Sequence, residues 1–98
     1  MAAYMIVEVE VHDPVRYADY RALVPATLVP FQGRFIVRGG ATTLVEGGPQ
    51  PQRLVVLEFP DAERARAWWA SDEYAGAKAL RRATSTVRMV LVEGFEAT

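Results

Sequence analysis

The sequence predicts an α+β domain of βαββαβ order whose sheet meets the sheet of a second copy. Four segments alternate in side-chain character with the period of two that a strand requires: Tyr4 to Val11, Arg34 to Glu46, Arg53 to Phe59 and Val87 to Glu93. Helix-forming stretches opened by capping residues separate the first strand from the second and the third from the fourth. Both parities of the strands are apolar. Val7, Val9, Val37, Val55, Leu57 and Leu91 suit cover by helices, whereas Tyr4, Ile6, Ile36, Leu54, Val56, Val90 and Val92 would face water in a monomer. A contiguous apolar surface of that kind marks an interface, and the same surface of a second copy, related by a two-fold axis, is its natural cover.

Each element follows from local chemistry. Asp13 accepts from free backbone amides and Pro14 fits the first helical position, so a helix begins there with Tyr17, Tyr20, Val24 and Leu28 on one face and Arg16, Asp19 and Arg21 toward water. Pro25 and Pro30 end or bend it. Arg34 to Glu46 exceeds the roughly 10-residue upper end of ordinary strands, so Gly39-Gly40 is expected to form a bulge that bends it. The turn-rich Gly47 to Pro51 then leads into Arg53 to Phe59 as a hairpin partner. Pro60-Asp61 opens a helix over Ala62 to Ala70, with Ala62, Ala65 and Trp69 on one stripe. Ser71 caps a further turn or short helix from Asp72 to about Arg82, with acids in its first turn and Arg81 and Arg82 in its last, expected as dipole partners or solvated residues rather than an anion site. With right-handed crossovers, this order gives a four-stranded antiparallel sheet with the helices on one face, the ferredoxin-like arrangement.

Composition bounds the function. A chain of 98 residues is expected to be a single domain, 1–98, that buries somewhat under about two-thirds of its unfolded surface. Hydrophobic residues make up 51% and charged residues 23%, and the formal charge is -1. No basic stripe interleaved with aromatics invites a nucleic acid. There is no cysteine, which excludes disulfides, thiolate catalysis, zinc-thiolate sites and iron–sulfur clusters. No apolar run approaches the roughly 18 residues of a membrane span, and no leader pattern opens the chain. A soluble, unprocessed, cytoplasmic protein with no cofactor, metal or membrane partner is therefore expected.

The residues able to carry chemistry are few. His12, the lone histidine, follows the first strand and is a candidate for proton transfer, against a plain loop role. Arg34 and Arg38 share a parity with Ile36, and Glu8 and Glu58 fall on the partner-facing parity of their strands. Charges on an apolar sheet face must be paired, hydrated in a cavity or kept at its rim. A guanidinium there holds a carboxylate or enolate, and Glu58 with a raised pKa acts as a base; alternatively the set is an ion-pair network that fixes dimer register. Tyr17, Trp68 and Tyr74 are candidate pocket walls, while Tyr20 and Trp69 are expected in the core. Gly39-Gly40 lacks the spacing and following helix of a phosphate loop.

Gly33-Arg34-Phe35-Ile36-Val37-Arg38-Gly39-Gly40, Glu58-Phe59-Pro60, Trp68-Trp69, Ser71-Asp72-Glu73-Tyr74 and Val92-Glu93-Gly94 resemble the family known as domain of unknown function 1330. Tyr4 to Val9, Asp13-Pro14 and Tyr17 to Tyr20 extend the resemblance over nearly the whole chain. It implies a dimeric α+β barrel, in a superfamily that also holds cofactor-independent monooxygenases, polyketide cyclases, muconolactone isomerases and haem-handling enzymes, with the cavity between sheet and helices as their site. Trp69 departs from a common tyrosine or phenylalanine and Phe31-Gln32 from a common Tyr-Gly pair, which removes hydroxyl chemistry at those positions. Two readings follow. One is a small-molecule-binding homodimer acting without cofactor on an enolisable or aromatic compound, like a monooxygenase, cyclase or isomerase. The other is a non-catalytic ligand carrier or interaction homodimer. A cavity of at least about 300 Å3 favours the first, a packed interior the second.

Overall fold

A computed structural model describes residues 1–96. The chain forms β1 (Ala3–Val11), α1 (Pro14–Leu28), β2 (Arg34–Arg38), β3 (Arg53–Phe59), α2 (Ala62–Trp69), α3 (Asp72–Thr84) and β4 (Ser85–Glu93). The strands make one antiparallel sheet in the order β2-β3-β1-β4, so the first strand lies inside and the second forms an edge. This is the α+β, ferredoxin-like arrangement, with three helices instead of two because Ser71 breaks the second helical stretch and caps a new one, its Oγ accepting from the Tyr74 amide.

Parity sorts the core as the alternation requires. Met5, Val7 and Val9 of β1 and Val55, Leu57 and Phe59 of β3 are buried against the helices, and Val87, Met89 and Leu91 of β4 are partly buried on the same face. Asp13 and Asp61 cap α1 and α2 through the Arg16 and Arg64 amides. Tyr17, Tyr20, Val24, Thr27 and Leu28 form the buried face of α1. On the opposite face of the sheet Ile6, Ile36, Val37, Val90 and Val92 are exposed.

Several expectations need correction. The second strand does not run to Glu46: it ends at Arg38, because β3 begins only at Arg53 and leaves the following residues no ladder to join. The bulge lies not at Gly39-Gly40 but between Phe35 and Val37, where Ile36 is the extra residue. One inserted residue flips everything after it. Val37 therefore pairs with Val56 on the open face, and Arg38 pairs with Val55 on the helix face, away from Arg34. On α2 the buried stripe is Ala62, Ala65 and Trp68; Trp69 is 38% exposed, at the last turn, where the chain leaves the core for α3. Arg81 is buried, not a solvated helix end.

Pro25 does not end α1, which continues to Leu28. A proline inside a helix removes the donor to the carbonyl four residues back, here that of Arg21. Arg38 Nη2 donates to that carbonyl at 2.7 Å, so the orphaned acceptor is satisfied from β2. Pro30 falls in the short 3-10 turn Val29–Phe31.

Candidate functional site: an arginine-lined mouth

Between α1 and the inner face of the sheet lies an enclosed space of about 30 Å3, walled by Val7, Val9, Val55 and Leu57 below and by Tyr17, Tyr20, Val24, Phe35 and Trp68 around it. It has room for about a single water. The interior is thus packed, far below the volume that a substrate-sized ligand needs. Its mouth is different in kind. Arg21, Arg38 and Arg53 converge there, and two open hollows of about 440 Å3 and 330 Å3 share Arg21 and Arg53 on their walls.

Each guanidinium is fixed by local structure. Arg38 is aimed inward by the bulge, lies 4.1 Å from the centre of the Phe35 ring and is docked on the Arg21 carbonyl. Arg53 pairs with Val9, on the parity that faces the helices, and its guanidinium carbon lies 5.7 Å from the centre of the Tyr17 ring. Gly39 makes space for it. With φ of +71° Gly39 ends β2, its amide donating to the Leu54 carbonyl at 2.9 Å, and a Cβ there would sit 2.2 Å from Arg53 Nη1.

The electrostatics are unbalanced. Among the described residues the ion pairs are Arg34 with Glu58 at 2.6 Å, Arg64 with Asp61 at 2.6 Å and Arg88 with Glu8 at 3.8 Å. None involves the three arginines of the mouth. Arg53 Nε is buried and has no hydrogen-bond acceptor among the described residues, a costly state for part of a charged group. Deeper in, the Tyr20 and Tyr74 hydroxyls meet at 2.9 Å, and Arg81 Nε donates to the Tyr74 hydroxyl at 3.1 Å. Burial pushes the Tyr20 phenol above its ordinary pKa and the neighbouring Tyr74 adds to the effect, so Tyr20 is a proton donor or a neutral acceptor, not a base.

Of the residues singled out in the sequence, Tyr17, Arg38 and Trp68 meet at this cavity. The Trp68 indole is fully buried and donates to Thr27 Oγ1 at 3.0 Å, and Tyr74 stacks beneath it with ring centres 4.0 Å apart. Arg34, Glu58 and Glu8 lie on the open face of the sheet, the first two as a cross-strand pair and the third across from Arg88. His12 is exposed, with Nε2 2.6 Å from Thr86 Oγ1, and stands at the opposite end of β1 from Tyr4, whose partner is Glu58. Sequence reasoning missed Arg53 and Arg21. Arg53 was findable, since it shares parity with Val55 and Leu57. Nothing in the local pattern of Arg21 separates it from a solvated helix residue.

The model of the family described as "Domain of unknown function (DUF1330)" matches residues 2–95, and the chain belongs to that family. A comparison with curated proteins finds no match. Among solved structures, the RPA0582 protein of unknown function from Rhodopseudomonas palustris is similar at a TM-score of 0.80, with 14% identity over 98% of this chain and 84% of that one. SnoaB, a cofactor-independent oxygenase from Streptomyces nogalater, is similar at a TM-score of 0.70, with 18% identity over 98% of this chain and 95% of that one. A dimeric ferredoxin-like protein of unknown function from Jannaschia sp. CCS1 has a TM-score of 0.72, with 15% identity over 96% of this chain and 100% of that one. At such identities the likeness establishes the fold. No described helix is long and apolar enough to cross a membrane.

Proposed function

We propose that the protein is a homodimer that binds a small organic anion, a carboxylate or an enolate, at the arginine-lined mouth between sheet and α1. The observation that carries this reading is Arg53, whose buried Nε lacks an acceptor beside two further guanidinium groups that have no carboxylate partner among the described residues. An anion supplies acceptors and offsets part of the cluster's positive charge. Since the enclosed space holds little more than a water, the head group sits at the mouth and the body of the ligand in the flanking hollows. The dimer is supported by the exposed apolar face around Ile6, Ile36, Val90 and Val92 and by the likeness to the dimeric protein from Jannaschia.

Binding stands ahead of catalysis in this reading. The likeness to SnoaB suggests cofactor-independent oxygen chemistry; on an enolisable compound such chemistry would need a base, yet among the described residues the cavity lining offers no carboxylate or histidine and Tyr20 is held protonated. The test is calorimetric titration with phenylpyruvate and with its methyl ester. The acid should bind and the ester should not, and Arg53→Met should weaken the acid by at least about tenfold, the loss of one charge-assisted hydrogen bond. Equal binding of acid and ester, or an unaffected Arg53→Met, overturns the reading.

A further inference from the structure

A second cationic hollow lies on the helix side of β4, away from the mouth. It is an open groove of about 800 Å3 floored by Met5, Met89 and Leu91, with Arg81 at its base and Arg66 and Arg82 on its rim. Trp69 forms one wall, which accounts for the 38% exposure of an indole at the end of α2; the Lys78 amine lies 3.9 Å and the Arg82 guanidinium carbon 5.9 Å from its ring centre. Arg81 is only 7% exposed, its Nε is bound to the neutral Tyr74 hydroxyl, and it has no carboxylate within ion-pair reach among the described residues. A guanidinium withdrawn from water against an uncharged partner, opening onto an apolar floor, is built for an anion that carries a hydrophobic body.

We infer that this groove is a separate binding site for an amphipathic carboxylate, with the carboxylate held by Arg81, Arg82 and Arg66 and an alkyl chain laid along Met89 and Leu91 against Trp69. The charge pattern selects the head and the floor selects the tail. A short acid lacks the area to displace water from the groove, and a neutral alcohol leaves the three guanidinium groups unanswered.

Decanoate, propionate and 1-decanol are the probes, titrated into the full chain with binding read by calorimetry and by Trp69 fluorescence against a Trp69→Phe control. Decanoate should bind and change the fluorescence, and propionate and decanol should each bind at least about tenfold more weakly. Arg81→Met is the direct variant. Because it removes the Arg81 donor to the Tyr74 hydroxyl and risks the fold, Arg66→Glu with Arg82→Glu, both at exposed positions, is the second. Either variant that folds should weaken the Trp69-reported binding of decanoate by about tenfold or more, while Arg53→Met, which lies outside the groove, should leave that fluorescence response unchanged. Decanol matching decanoate, an indifferent Arg66→Glu/Arg82→Glu protein, or loss of the Trp69 response to decanoate in Arg53→Met overturns the inference. So does a change of particle mass in the double variant, which would make the groove an interface between copies. Failure of phenylpyruvate to bind at the mouth would leave these readouts untouched.

Discussion

The two faces of the sheet treat arginine differently. On the open face Arg34 pairs across the strands with Glu58, and Arg88 lies opposite Glu8. On the helix face Arg38 and Arg53 have carbonyl and aromatic neighbours but, among the described residues, no carboxylate. Cross-strand charge pairs close a surface electrically and prepare it to be covered. Unanswered guanidinium groups keep a surface open to something that arrives with negative charge. Neither the number of arginines nor their spacing distinguishes the two groups; which side of the pleat they occupy does.

The comparison is sharpest if the open face is broken first. Val56 is central there, cross-strand from Ile6 and Val37. Val56→Asp should cost several kcal/mol in the proposed dimer by placing an unpaired carboxylate in an apolar contact. Light scattering should find half the parent mass or an unfolded chain. A variant that keeps both its mass and its thermal midpoint would mean that this face is not the interface.

On the helix face the corresponding stress point is Gly39. Gly39→Val should destabilise by about 1–3 kcal/mol, since the residue sits at positive φ and its side chain would collide with the Arg53 guanidinium. Thermal melts measure the first effect. Displacement of Arg53 should also weaken phenylpyruvate binding, so a Gly39→Val protein with full affinity would separate Arg53 from the site.

Tyr20 adds a pH signature specific to the interior. Its folded pKa is raised above the ordinary 10.0, so the folded state holds the proton more tightly than the unfolded chain. That contribution is fully present below pH 10 and declines as pH rises above it toward the folded value. Denaturant titrations from pH 8 to 11.5 should show a plateau followed by a fall, and Tyr20→Phe should flatten the fall. The smallest effect belongs to the open face. Arg34→Met with Glu58→Leu should change stability by less than about 1 kcal/mol, because the arginine is 69% exposed, and should leave anion binding intact. A large loss of binding would place that pair in the site after all.

Much of the frame was legible because it depends on period and local caps. Asp13-Pro14, Asp61 and Ser71 begin helices where the capping chemistry says they should, and the alternation of β1 and β3 separates their buried and open sides. The site was less legible because a single inserted residue decides it. Ile36 is an ordinary strand residue in an unbroken apolar run, and nothing in its neighbourhood announces a bulge; the glycines three and four positions on drew that expectation to themselves. Arg38 was therefore read with Arg34, and the true grouping with Arg53 appears only once the pairing with β3 is known. Trp68 and Trp69 exchanged roles for a related reason: either indole fits a helical stripe, and only the end of α2 and the turn into α3 decide between them.

Pro25 has a consequence for how this site can change over generations. Any other residue at that position restores a backbone amide able to reclaim the Arg21 carbonyl, which now holds Arg38. A substitution that repairs the helix would thus make the guanidinium on the neighbouring strand share its acceptor. Helical regularity in α1 and the placement of Arg38 at the proposed anion site meet on one oxygen atom, so a mutation that stabilises the helix here would also bear on the ligand proposed for that site.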